Sequence, residues 1–418
     1  MINYPVGRGA DGVEIGDINK DGKSELVVAN RQTNNLSLFK QTGNPADPLA
    51  LYQTVSLSWS PAVVAIADIN RDGYNDVAIA HYDNYVGSGK TNTFGVCYQN
   101  KTTGMLDPEV KYTFTSGKSC RAIAAGDVNS DGYPEIITAN EVTGGDVHVW
   151  AWNSSSGKLE HSAAIGFIMY AVISISVGDV TGDGLNDVVL YGSRLYVLEQ
   201  NTNGTLKAPR LYGNTGGESG DIGDINGDGL NDVAGATAFS GDMELWIQNA
   251  TTHALDRSSK YDCGNYTEDV EIADLNCDGR LDVAVASRDE SELYIFTQDA
   301  AGSLHRAAIL PSVPNAWLNE LAVGDINGDG LTDVVGSNWG HNKTSLTPWT
   351  TISVWIQEPP ATPETGAAGF ATMIVFLAAV LMAAVCITIN KNIKNKNRND
   401  RSTTIRQRST TIRQITRK

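Results

Sequence analysis

Cysteine is scarce in this chain, with five in 418 residues. Cys386 sits in an apolar run near the C-terminus, and the remaining four are too few for a disulfide scaffold. Cys263 and Cys277 could pair across neighbouring loops, or serve as free small core residues. Six scattered histidines and the lack of a nucleophile elbow or zinc motif give no support to a hydrolase or zinc enzyme. Proline (13) is sparse and glycine (42) abundant, while 41% hydrophobic residues exclude a disordered chain. Positive charge is short in the body. Ten Lys or Arg and one acid, Asp400, follow Asn390, and Glu358 and Glu364 precede it. The first 357 residues therefore carry −24 of a total of −17. So acidic a body does not bind nucleic acid, and it needs something to neutralise its carboxylates.

What the chain has in quantity is a repeat. The pattern Asp-x-Asn-x-Asp-Gly-x-x-Asp recurs seven times, starting at Asp17, Asp68, Asp127, Asp179, Asp224, Asp274 and Asp325. Successive copies lie 51, 59, 52, 45, 50 and 51 residues apart, far too regular for chance. Gly or Ala always precedes the first Asp, as at Gly16, Ala67 and Gly324. A short apolar run leads in (VEIADL, 270–275), and a second follows (DVAVAS, 282–287). Both are β-branched and bounded by Gly and Asp, so they read as strands. A third, more alternating strand comes next (MELWIQN, 243–249), then a polar fourth (LKAPRLYG, 206–213). Four strands per fifty-residue repeat predict an all-β, seven-bladed β-propeller over residues 1–357. The last repeat stops after its third strand, and IleAsnTyrProValGly (2–7) resembles a fourth strand. The N-terminal strand is therefore expected to complete the seventh blade and remove its open edge.

Several carboxylates and an amide within nine residues repel one another unless a cation sits among them. Oxygen-only donors favour a hard divalent ion, Ca²⁺ above all. Positions 1, 3 and 5 would supply side-chain oxygens, position 7 its carbonyl and position 9 a closing carboxylate. The full sets are Asp68, Asn70, Asp72 and Asp76; Asp224, Asn226, Asp228 and Asp232; Asp274, Asn276, Asp278 and Asp282; and Asp325, Asn327, Asp329 and Asp333. Glu closes two others: Asp17, Asn19, Asp21 with Glu25, and Asp127, Asn129, Asp131 with Glu135. The fourth repeat has Thr181 for Asn, between Asp179, Asp183 and Asp187. Lys23, Tyr74, Tyr133, Leu185, Leu230, Arg280 and Leu331 occupy position 7. Metal-free Asx-turns are the alternative. Up to seven structural Ca²⁺ would instead make divalent binding part of the folding free energy.

Residues 223–232 and 324–333 carry the resemblance most clearly. The repeats resemble the FG-GAP or VCBS repeats of integrin α-chain propellers. The resemblance implies Ca²⁺ on the first hairpin of each blade, on the face opposite the usual ligand face. The Gly-Ala-Pro that follows the second strand in integrins is missing; AlaAsn (29–30) or AlaSer (286–287) stands there, which favours the broader VCBS-type group.

Residues 358–366 read as a Pro-rich linker, 367–389 as an uncharged transmembrane helix and 390–418 as a basic cytoplasmic tail. The propeller is then extracellular on a single-pass membrane protein. No signal peptide precedes Tyr4, so either a natural N-terminus further upstream or a misassigned start is expected. TPETG (362–366) resembles a sortase sorting signal as an alternative anchor. N-x-Ser/Thr sequons at Asn35, Asn100, Asn153, Asn203, Asn249, Asn265 and Asn342 fit a glycoprotein.

The function that follows is calcium-stabilised binding or adhesion, with a protein or glycan ligand taken on the loop face. Trp59, His81, Tyr82, Tyr85, Trp317, Trp339 and Trp349 are the candidate loop aromatics and imidazole; Trp150, Trp246 and Trp355 read as core. An extracellular polysaccharide lyase or hydrolase and a surface-layer structural component are the alternatives.

Overall fold

A computed structural model describes residues 1–81, 93–113, 120–140, 146–166, 171–339 and 350–358. The linker beyond residue 358, the apolar run 367–389 and the basic tail lie outside these residues, as do Tyr82, Tyr85, Asn342 and Trp349. Among the described residues no helix is long and apolar enough to cross a membrane.

The described chain forms seven antiparallel four-stranded sheets. Blade 1 is Ala10–Gly16, Glu25–Asn30, Asn35–Gln41 and Leu49–Ser56. Blade 2 is Pro61–Ala67, Asp76–His81, Thr93–Cys97 and Val110–Thr113; blade 3 is Cys120–Gly126, Glu135–Asn140, Asp146–Asn153 and Lys158–Gly166. Blade 4 is Val172–Gly178, Asp187–Gly192, Arg194–Leu198 and Arg210–Asn214; blade 5 is Gly217–Gly223, Asp232–Thr237, Asp242–Gln248 and Leu255–Asp262. Blade 6 is Thr267–Ala273, Asp282–Ser287, Glu292–Gln298 and Leu304–Pro311. Blade 7 is Trp317–Gly324, Asp333–Trp339 and Thr351–Trp355, closed by Ile2–Pro5. Tyr4 pairs with Ile352 and Ile2 with Val354, so the N-terminal strand does complete the last blade.

The core is divided. Seven apolar clusters occur, one at each junction between neighbouring blades. The junction of blades 1 and 2, for example, joins Val27 and Leu36 to Val64 and Val77. The residue before each loop's first Asp is small because the next blade presses on it. A Cβ at Gly16 would meet Ile66, and one at Gly178 would meet Ile222. Trp150, Trp246 and Trp355 are buried and occupy one third-strand register position, opposite Ile136, Val233 and Val334.

Two points left open by the sequence are settled here. Cys263 and Cys277 are both free, one buried after the last strand of blade 5 and the other exposed in the loop that follows the first strand of blade 6. The inner strands are also not uniformly apolar. Those of blades 1, 5, 6 and 7 carry acids, including Glu14, Asp221, Glu271 and Glu320.

Candidate functional site

Each Asp-rich loop joins the first and second strands of its blade, which puts all seven on one face. Blade 5 shows the common geometry. Asp224 accepts the amides of Asp228 (3.0 Å) and Gly229 (2.8 Å), and Asn226 Oδ1 accepts that of Asp228 (2.8 Å). Asp228 in turn accepts the amide of Leu230 (2.9 Å). The position-7 residues Lys23, Tyr74, Tyr133, Leu185, Arg280 and Leu331 donate their amides to position 5 in the same way. Position 6 is always glycine, with φ between 83° and 92°. Position 4 is also left-handed in every loop, even where Lys20, Arg71, Ser130 or Cys277 occupies it, a feature the repeat pattern hides.

Position 9 has a second use that the sequence pattern does not show. Asp76, Asp187, Asp232, Asp282 and Asp333 are wholly buried. One oxygen of Asp232 accepts the amide of Ile225 (3.1 Å) and the other that of Gln248 at the end of the third strand (2.8 Å). Asp76, Asp187, Asp282 and Asp333 clasp Gln99, Gln200, Gln298 and Gln357 likewise. Glu25 and Glu135 instead take the side-chain amides of Asn19 and Asn129. Position 9 is thus a clasp between loop and sheet as well as an acid beside the loop. Burial, with the neighbouring loop carboxylates adding, pushes Asp76 and Asp232 up to about 7 and Asp282 and Asp333 to about 6.

Among the described residues no three His, Cys, Asp or Glu side chains already converge as a metal-binding group. The reason is visible: the acids accept their own loop amides. The donor set still fits a hard divalent cation. It offers oxygen alone, with no thiolate or imidazole, and Thr181 Oγ1 is buried at position 3 without a hydrogen-bond partner. The loops are not equivalent, however. Lys101 reaches Asp72 (3.6 Å), Arg71 reaches Asp131 (2.7 Å) and Arg280 turns back on Asp278. Positive side chains therefore already serve the position-5 acid of blades 2, 3 and 6.

Side chains that sequence reasoning missed join one loop to the next. Asn75, Asn186 and Asn231, all at position 8, donate to the carbonyls of Asp17 (2.9 Å), Asp127 (3.0 Å) and Asp179 (3.0 Å) in the preceding blade. Gln41 donates to the Asp325 carbonyl (3.0 Å) across the junction of blades 7 and 1. The recurrent Asn at position 8 and Gln at the third strand's end were the available signals.

The opposite face carries a ladder of rings and guanidinium groups. The Phe239 ring, 88% exposed, lies edge-on to Tyr266 at 5.8 Å. Arg288 lies over Tyr266 (3.4 Å) and Trp317 (4.8 Å), Trp317 stacks on Trp339 (5.6 Å, 17°), and Arg31 follows at 5.9 Å. Its polar groups are anchored beneath: Tyr266 donates to Glu218 (2.7 Å), and Arg288 and Arg31 pair with Glu268 (3.2 Å) and Asp11 (3.1 Å). Trp317 and Trp339 stand at strand ends beside the loops where the sequence placed them, and Phe239 and Tyr266 are additions that the structure makes. His81 does not face the loops; it is fully buried against Glu109 at 2.5 Å.

The family model for the FG-GAP-like repeat matches residues 17–79, 179–235, 224–285 and 274–336. No curated protein sequence matches the chain. Among solved structures, BBS1N in complex with ARL6DN, soaked with lead, is similar at a TM-score of 0.57 and 14% identity, covering 88% of this chain and 97% of that one. The mercury-soaked form of that complex gives a TM-score of 0.57 and 12% identity, with the same coverage.

Proposed function

The chain belongs to the FG-GAP-like repeat family, and on that basis we propose that it is a binding module, not an enzyme, that takes a protein or glycan ligand on the face opposite its Asp-rich loops. The observation that carries this reading is the four-blade ladder ending in Phe239. A large ring left 88% exposed on an otherwise anchored ridge is a contact surface waiting for a partner. The similar propeller BBS1N is held in a complex with another protein, which supports a protein ligand.

The Asp-rich loops act as structural staples. Ca²⁺ would be held by the oxygens of positions 1, 3, 5 and 9 with the position-7 carbonyl, and it would supply the positive charge those acids lack. Loops 1, 4, 5 and 7 are the favoured sites, since no Lys or Arg among the described residues pairs with their position-5 acids. The uncharged run 367–389 would tether the propeller to a membrane, with the basic tail inside, as an adhesion protein requires. Glycans on the exported face would accompany this placement.

The test is a pull-down and glycan array with the calcium-loaded chain, with chelator as control and Phe239→Ala alongside. Capture should fall about tenfold or more in the variant, as for an interface hot spot. Capture indifferent to Phe239, or turnover of the arrayed glycans, would overturn the binding reading.

A further inference from the structure

The first strands of the blades surround a 460 Å³ cavity on the propeller axis, and its wall is electrically one-sided. Blade 5 contributes Glu218 and Asp221, blade 6 Glu268, Asp269 and Glu271, blade 7 Glu320, and blade 1 Glu14. Asp11 lies on the same strand of blade 1. The facing strands of blades 2 and 4 carry no charge, and that of blade 3 carries only Arg121. The other cations on the acidic side are Arg288, paired with Glu268, and Arg31, paired with Asp11.

The acids do more than line a space. Asp221 Oδ2 accepts the amide of Ile272 (2.9 Å), tying blade 5 to blade 6. Asp269 Oδ2 accepts that of Leu321 (2.7 Å), tying blade 6 to blade 7. Asn319 donates to Asp11 (2.7 Å), tying blade 7 to blade 1. Three consecutive junctions are thus each bridged by a buried aspartate, two by way of a backbone amide and one by way of the Asn319 side chain, and they flank the point where the chain's two ends meet in blade 7.

We propose that this axial seam is a pH-operated latch, closed while Glu14, Glu271 and Glu320 keep their protons and weakened when they ionise beside Asp221 and Asp269. Burial pushes Glu14 up to about 8, and the charges of Asp221 and Asp269 add to it. Glu271 and Glu320 are raised well above the ordinary range, first by burial and then by their acidic neighbours. Burial also lifts Asp221 and Asp269, to about 6. Each of these pKa values is higher in the folded chain than in the unfolded one, where carboxylates titrate near ~4. The unfolded chain loses these protons first as pH rises. The seam's contribution is therefore full only below ~4, declines as pH rises above that, and is lost once pH has climbed through about 6 to 8.

The latch is independent of the metal loops and of any ligand, so it is read at saturating Ca²⁺. Thermal melts of the full chain from about pH 5 to about pH 9 should show the melting temperature falling with pH. The Glu14→Gln, Glu271→Gln, Glu320→Gln triple variant should lose at least about half of that slope while melting normally at the acid end. A slope unchanged by the three substitutions overturns the latch. Should the triple variant not fold, hydrogen exchange on the unaltered chain decides. The amides of Ile272 and Leu321 should lose protection between about pH 5 and about pH 8, after correction for intrinsic exchange, while those of Val188 and Val189 in blade 4 do not. Equal changes at both places overturn it.

Discussion

A methyl group at Gly235 would overlap the Tyr191 ring, which is almost wholly buried where blade 4 meets blade 5. Gly217 and Gly220 hollow the same notch. Gly279, in the loop of blade 6, faces open space but sits at φ 85°. The two glycines therefore have different reasons to exist. Gly235→Ala should cost about 2–3 kcal/mol through overpacking. Gly279→Ala should cost about 1 kcal/mol through backbone strain alone. Urea denaturation of both variants checks the order. The buried pair of His81 and Glu109 gives a second test at this scale. Burial would raise the Glu109 carboxyl, but the His81 hydrogen bond and charge outweigh it and hold it below the usual range. A depressed carboxylate stabilises the fold above its ordinary pKa and ceases to as pH falls below about 4. Glu109→Gln should cost about 3 kcal/mol near neutrality, by breaking a buried pair, and should flatten the acid limb of the stability curve.

At the scale of the element, the loop and the third strand act together. Asp232→Ala would strand the amides of Ile225 and Gln248 in the core, a loss of about 3 kcal/mol that persists in chelator, with that loop's calcium stabilisation lost besides when the ion is present. Asp228→Ala, at the half-open position 5, should cost little in EDTA but abolish that loop's share of calcium stabilisation. Melts of both variants with and without calcium separate clasp from ligand. Equal losses in both conditions for both variants would show the loops to be metal-free turns. The same comparison explains what could be read beforehand. The nine-residue spacing is local, so every loop was legible. The clasp was not, because Gln248 lies sixteen residues beyond Asp232 and meets it only when the third strand pairs with the second. Sequons are legible in the same limited way. Asn100, Asn153 and Asn249 each accept two following amides in an Asx-turn, a use of these residues that the triplet alone does not reveal.

For the molecule as a whole, stability is spread over seven junctions, and the ring depends on closing. Removing residues 1–6 would strip Tyr4 from its cluster and leave the strand Thr351–Trp355 as a bare edge. The expected loss is on the order of 3 kcal/mol from Tyr4 burial and the four-residue ladder. Light scattering should then detect association through the exposed strand, and a truncated chain that melts and scatters like the intact one would contradict closure by this strand.

Blade number, strand order, the Asp-rich loops and the closing strand were all present in the sequence, because each rests on short-range spacing repeated seven times. The acid seam on the axis, the Asn and Gln links between loops and the ring-and-guanidinium ladder were decided only by the tertiary structure. Each joins residues from blades that are remote in sequence or whose facing is set by packing. Glu14 and Glu271, for instance, lie 257 residues apart and face one cavity only once the ring has closed.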